Sequence, residues 1–185
     1  MTSTNLNHMM DPHTALCLWC SMDPLFEVYA NRAANSSSQE LLASYLKNQI
    51  QLDETGECNE IRDLLTRIVE KNGAKVVLEL SSRSGVTSIF MNRLRFEIFV
   101  AGMAYSLKAS TDSFPAIIEV NVVREPSRGT VIQLVLKEDL INREAPQLCE
   151  YLAPLKILSE FYQAELNEIW QGNMLGVELV LPNEI

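Results

Sequence analysis

Residues 91–110, MNRLRFEIFVAGMAYSLKAS, constrain the fold more than any other stretch of the chain. Their apolar residues recur with the spacing of a helix and leave little polar surface, which predicts a buried helix over residues 91–109. A helix that is apolar on most of its sides has to be covered by other elements of the same domain. The segment therefore predicts a packed core around it.

A second helix is indicated by NEIRDLLTRIVEKNG at residues 59–73. Asn59 is its predicted N-cap, and Asn72 and Gly73 are its predicted end. The polar segment DETGE at 53–57 is expected to form a loop in front of it. The apolar residues at helical spacing fall on one face: Ile61, Leu64, Leu65, Ile68 and Val69.

Short β-rich segments alternate with these helices. KVVLELS (75–81) reads as a strand followed by the turn SRSG, and AIIEVNVV (116–123) and VIQLVLKED (131–139) flank the hairpin loop REPSRGT. One or two helices follow, with Pro154 as a possible start of the second, and a hairpin around QGNMLG closes the chain. The order predicts an α+β fold, a two-layer sandwich of a mixed sheet with helices on one face, preceded by a short helical N-terminal region.

The chain of 185 residues divides into three predicted parts. Residues 1–14 are polar and aperiodic and are expected to be a flexible tail. Residues 15–54 form a helical region suited to dimerisation or docking. The α+β domain occupies residues 55–185.

Charge and hydropathy exclude several classes of function. The formal net charge is −9 and the pI about 4.7, which argues against binding to nucleic acid or to anionic membranes, since both need clustered Lys and Arg. No apolar run approaches the roughly 20 residues of a membrane span, and the N-terminus lacks the pattern of a secretory signal. A cytoplasmic location is therefore expected.

Three segments resemble the catalytic ATP-binding domain of sensor histidine kinases, a member of the Bergerat (GHKL) ATPases. IRDLLTRIVEKNGAKVVLELS is similar to the family's first helix and second strand, and RLRFEIFVAGMAYSLKAS is similar to its N-box helix. PLKILSEFYQAELNEIWQGNMLGVELVLP resembles the last helix and the closing hairpin. The resemblance covers about residues 55–183 and implies the fold of that family.

The functional motifs that the resemblance implies are not retained. Aligned on Leu107 and Lys108, the two Asn positions that coordinate magnesium in the family fall on Ala101 and Tyr105, and neither offers an amide oxygen. Asp139 stands where the family's adenine-binding Asp would be, but no Gly follows it. The glycine-rich lid is replaced by EYLAPLKILSE, which contains no Gly that would let the backbone cradle phosphate. No catalytic residue, cofactor or resident metal is expected.

The two histidines raise two further hypotheses. A phosphoacceptor His of this family lies on a helix, and His13 is the candidate, although a solvated His in a tail is the simpler interpretation. His8, His13, Cys17 and Cys20 lie close together and could in principle hold zinc, but the spacing is compressed and the neighbouring apolar residues favour buried thiols.

The resemblance and the missing ATP-binding motifs together indicate a non-catalytic regulatory or adaptor protein of a two-component or phosphorelay system. Its expected partner is a sensor kinase or a response regulator, and a homodimer is compatible with the helical N-terminal region. The alternative is an atypical histidine kinase or histidine phosphotransferase with a divergent site.

Overall fold

A computed structural model describes residues 56–71, 75–138 and 148–182, together with positions 40, 44, 47, 48 and 50. Seven strands and three helices have both ends within the three continuous ranges, and the five separate positions are helical. The strands are β1 (Gly56–Glu60), β2 (Val76–Leu80), β3 (Ser88–Asn92), β4 (Ala116–Glu125), β5 (Gly129–Leu136), β6 (Glu165–Gln171) and β7 (Met174–Leu181). The helices are α1 (Ile61–Lys71), α2 (Arg93–Ala109) and α3 (Leu148–Phe161).

Five of the strands form one mixed sheet, in the order β2-β4-β5-β7-β6. Strand β2 runs parallel to β4, with Leu78 opposite Ile118, and the remaining neighbours are antiparallel. A smaller antiparallel sheet pairs β1 with β3. The mixed sheet and the three helices confirm the predicted α+β fold class.

The core lies between the five-stranded sheet and the helices. Along β4, Ile118, Val120 and Val122 are fully buried, whereas the alternate residues Glu119 and Asn121 are only half-buried. This is the period of two that a strand shows when one face meets the core. Each fully buried aliphatic side chain contributes about 1.5–3 kcal/mol through removal of its apolar surface from water.

Helix α1 confirms the predicted apolar face. Ile61, Leu64, Leu65 and Ile68 are buried and Val69 is partly buried.

The prediction for the start of α1 was wrong. Asn59 lies in β1 and its amide Nδ2 donates to the carbonyl oxygen of Glu57 at 3.1 Å, so it does not cap the helix. The first helical amide, that of Ile61, donates instead to Thr87 O at 2.9 Å, in the segment leading to β3. Residues 56 and 57, predicted as part of a loop, likewise belong to β1 because they pair with β3. Residues 72–74, the predicted helix end, lie outside the described residues.

Helix α2 begins two residues later than predicted, since Met91 and Asn92 close β3. The Asn92 Oδ1 atom accepts a hydrogen bond from the backbone N–H of Arg95 at 2.7 Å, which satisfies one of the amides left without an intrahelical partner at the helix start. Most of the helix is buried between α1, α3 and the sheet.

The cap at Asn92 gives a first prediction. Replacing Asn92 by alanine removes the acceptor for the Arg95 amide and is expected to lower the free energy of unfolding by about 1 kcal/mol. Urea denaturation measures the change, and the same substitution at exposed Asn167 in β6 serves as the control. Equal losses for the two variants would contradict a capping role.

The C-terminal elements agree with the expected pattern of a helix followed by a hairpin. Residues 148–161 form one helix that contains Pro154, rather than two helices. The hairpin of β6 and β7 turns at Gly172, whose φ of +62° lies in the left-handed region that a tight two-residue turn requires.

Candidate functional site

One face of α2 brings together the positions where the resemblance implies metal ligands. These positions are Ala101 and Tyr105, which are four residues apart and therefore share one face of the helix. Glu97 lies one turn earlier on the same face. The relative exposures of Glu97 and Ala101 are 2% and 5%, whereas Tyr105 is half-buried. Ala101 offers only a methyl group, so the face carries no ligand oxygen at this position.

The carboxylate of Glu97 is a feature that the sequence interpretation missed. It is buried within the apolar helix, and its Oε1 lies 3.8 Å from Arg93 Nε, one helical turn earlier. A buried charge requires a nearby opposite charge or hydrogen bonds, and Arg93 supplies the first of these. The signal in the sequence was an acidic residue one turn before Ala101, in a segment otherwise apolar.

Tyr105 differs chemically from an amide ligand. A tyrosine phenol is protonated and neutral near pH 7, and burial raises the pKa of Tyr105 further above the ordinary value. A neutral phenol is a poor ligand for a hard cation such as magnesium, which prefers carboxylate, carbonyl and water oxygens. The side chains at 101 and 105 therefore do not fit a magnesium–nucleotide complex.

The raised pKa of Tyr105 predicts the behaviour of the protein at high pH. The unfolded chain loses this proton near pH 10, whereas the folded chain retains it to higher pH. The contribution of Tyr105 to stability is therefore complete below that value and is lost as the pH rises through the folded pKa.

Titration of tyrosinate absorbance tests this expectation. Of the five tyrosines, Tyr105 should titrate late, and Tyr105→Phe should remove amplitude from the upper part of the curve. A variant that loses amplitude only near the ordinary pKa would show that the phenol is solvated.

A network of hydroxyl groups holds the segment after β5 against the loop that follows α2. The hydroxyls of Thr111 and Ser113 both donate to Oε2 of Glu138, the second at 2.9 Å. The Lys108 ammonium donates to the carbonyl oxygen of Thr111 at 3.2 Å and joins the helix end to the same loop. Glu138 therefore has a structural role, because it joins the loop after α2 to the segment after β5.

Several predicted site residues lie outside the described residues: His8, His13, Cys17, Cys20 and Asp139. The phosphoacceptor and zinc hypotheses and the adenine-site position therefore stay predictions. Within the described ranges, no group of three or more His, Cys, Asp or Glu side chains is arranged to hold a metal ion. None of the helices in these ranges has the length and apolarity needed to cross a bilayer.

Two grooves lie away from the face of Ala101 and Tyr105. One, of about 530 Å³, separates α1 from β2. The other, of about 610 Å³, is bordered by Phe90, Arg95, Arg124 and Tyr162, and the Arg95 guanidinium carbon lies 4.2 Å from the centre of the Tyr162 ring. Neither groove is lined by Ala101 or Tyr105.

No family model matches the chain, and no curated protein matches it in sequence. Among solved structures, the Acinetobacter baumannii histidine kinase AdeS is similar, with a TM-score of 0.55, 16% identity, and coverage of 96% of this chain and 98% of that one. Full-length ShkA in complex with AMPPNP gives a TM-score of 0.52 at 11% identity, with coverage of 96% of this chain but 44% of ShkA.

The Erythrobacter litoralis EL346 blue-light activated histidine kinase gives a TM-score of 0.50 at 12% identity, and the aligned region covers 94% of this chain and 64% of the EL346 chain. At such identities the likeness concerns the fold alone. The chain is therefore similar in fold to these histidine kinases.

Proposed function

We propose that the chain is a non-catalytic regulatory or adaptor protein of a two-component or phosphorelay system, which acts through protein contacts of a kinase-like domain. The main support for this proposal is the face of α2, where the buried methyl group of Ala101 and the neutral phenol of Tyr105 lie at the two positions expected to bind magnesium. The helix keeps its packing without the donor atoms that nucleotide binding needs.

The local hydrogen bonds support this proposal. Glu138, two residues after β5, accepts from Thr111 and Ser113, so its carboxylate holds a loop in place. The two hydroxyls occupy lone pairs of its Oε2 atom. The fold is thus maintained by contacts between its own side chains at the end of the helix.

Calorimetric titration with magnesium and ATP tests the non-catalytic part of the proposal. No saturable heat is expected up to about 1 mM ATP, which corresponds to a binding free energy weaker than about −4 kcal/mol. AdeS, titrated in the same buffer, provides a comparison with a histidine kinase of similar fold. Micromolar, magnesium-dependent binding by the chain would contradict the proposal.

A phosphotransfer assay tests the regulatory part. Purified sensor kinases and response regulators from the source organism are incubated with the chain and labelled ATP. We expect a complex with at least one of them and a changed rate of its autophosphorylation or transfer. Label on the chain itself, absent in His13→Ala, would instead establish the phosphotransferase alternative.

A further inference from the structure

Strand β2 forms one edge of the five-stranded sheet, and its outward backbone groups can be identified. The amide of Ser81 donates to Val120 O at 2.7 Å, and Lys75 O accepts from Ala116 N at 3.2 Å, so odd-numbered residues face β4. Backbone groups alternate along a strand, so the N–H and C=O of Val76, Leu78 and Leu80 point away from the sheet. These groups form no hydrogen bond with any other part of the described chain.

A groove of about 530 Å³ runs along this edge, between β2 and α1. Its lining includes the side chains of Leu65, Val69 and Leu78, and Val69 and Leu78 are only partly buried. Exposed Arg62 and Glu70 lie along the same groove. An edge strand with an apolar centre and unpaired backbone groups is a template for pairing with another strand.

The sequence of β2 is suited to antiparallel pairing with itself. If Leu78 lies opposite Leu78 of a second copy, then Val76 lies opposite Leu80, and all three outward residues form hydrogen-bonded pairs. In this register Glu79 is opposite Val77, so two like charges do not face each other. Glu79 is also neutralised locally, because Lys137 Nζ lies 2.8 Å from its Oε2.

Helix α1 is self-complementary about the same axis. Arg62 and Glu70 lie on either side of Thr66, each four residues away, and all three line the groove. A two-fold axis that reverses the direction of β2 also reverses α1. When this axis passes level with Thr66, Arg62 of one copy faces Glu70 of the other, and the contact occurs twice. The charges therefore favour a second copy over an unrelated strand as the occupant.

We propose that the edge of β2 and the adjoining face of α1 form a homodimer interface, in which two copies join their sheets antiparallel about Leu78. Main-chain hydrogen bonds join the strands, the partly buried Leu78 and Val69 lose contact with water, and the pairs of Arg62 with Glu70 fix the register.

Sedimentation equilibrium on the full chain, with reversal of charges in α1, tests this interface. The wild type should form a dimer, and Arg62→Glu should weaken it about tenfold or more, because it places like charges together at two symmetric contacts. The double variant Arg62→Glu, Glu70→Arg restores opposite charges and should return the dissociation constant to near the wild-type value. Arg67→Glu, at an exposed position of the same helix outside the groove, is the matched control.

Hydrogen exchange gives a second readout that charge effects elsewhere would not reproduce. The amides of Val76, Leu78 and Leu80 should exchange more slowly as the protein concentration rises. A wild type that stays monomeric at about 100 µM would overturn the proposal, since that limit leaves only a binding free energy weaker than about −5.5 kcal/mol. Equal effects of Arg62→Glu and Arg67→Glu, or no restoration by the double variant, would also overturn it.

Discussion

Replacing Phe99 by alanine is expected to lower the free energy of unfolding by about 3–5 kcal/mol. Phe99 is fully buried in the middle of α2, and its ring meets Tyr162 edge to face, with the ring centres 6.3 Å apart. Alanine removes both the apolar surface and the aromatic contact, and leaves a cavity between the helix and its neighbours. A loss of this size is a large part of the stability of a small domain.

Chemical denaturation measures this loss, with Phe114→Ala as the matched control. Phe114 is 72% exposed, so the same substitution there should change the stability by no more than about 0.5 kcal/mol. The more conservative Phe99→Leu keeps most of the volume and should cost less than Phe99→Ala. A loss below about 1 kcal/mol for Phe99→Ala would show that this face of α2 is not packed in the core.

The helices of this fold were predictable because the spacing of apolar residues that indicates a helix lies within one short segment of the sequence. Ile61, Leu64, Leu65 and Ile68 repeat with the period of a helix, and the structure buries all four. The long apolar segment that gives α2 has the same property. Hairpins were predictable where Pro and Gly mark the turn, as between β4 and β5.

The small sheet was not predictable, since it depends on pairing between two segments that are distant in the sequence. Strands β1 and β3 have five residues each, GECNE and SIFMN, and each is mixed in polarity. Each exists because it pairs with the other, and Glu60 and Ser88 are partners despite their separation along the chain. This pairing also explains why Asn59, a plausible cap by sequence, became part of a strand.

The sequence could predict which residues share a face of α2, but not the contacts that these and neighbouring residues make. The four-residue spacing correctly placed Ala101 and Tyr105 on one face of a helix. The contacts of Glu138 with Thr111 and Ser113 join segments that are more than 20 residues apart, and nothing in the local pattern indicates them. The spacing of four between Arg93 and Glu97 is visible in the sequence. Only the structure shows that the Glu97 carboxylate is buried beside Arg93.

The packing of α2 in the core depends on the size and apolarity of its side chains, whereas ligand binding depends on their donor and acceptor atoms. The packing can therefore remain where the ligand-binding atoms are absent. A small residue at 101 lies buried against the rest of the domain, and the ring of Tyr105 is half-buried on the same face. Neither contact requires a hydrogen-bonding side chain. The same face can therefore be retained for stability when no nucleotide is bound, which is the basis of the proposed regulatory role.

The second large effect is expected at Gly176, in the closing segment LGVELVLP, where alanine should cost about 1–3 kcal/mol and valine more. Gly176 lies in β7 opposite Val135 of β5 and Ile169 of β6. A Cβ atom at this position would stand 2.8 Å from the carbonyl oxygen of Leu134 and 3.0 Å from Cγ1 of Ile169. The oxygen belongs to the backbone of the central strand, so it cannot move aside as a flexible side chain would.

The sign of this effect is informative because a strand normally gains from losing a glycine. Gly→Ala in an unstrained strand reduces the entropy of the unfolded chain and raises the free energy of unfolding by about 0.5–1 kcal/mol. A net loss of stability at Gly176 must therefore come from the close approach of β5 and β7. Gly85→Ala is the matched control, since its Cβ would meet Val123 at an ordinary 3.4 Å and its φ is not in the left-handed region. Urea denaturation of the two variants should therefore give opposite signs, with Gly85→Ala neutral to stabilising. A Gly176→Ala protein as stable as the wild type would mean that the sheet is less tightly paired at its centre than these distances require.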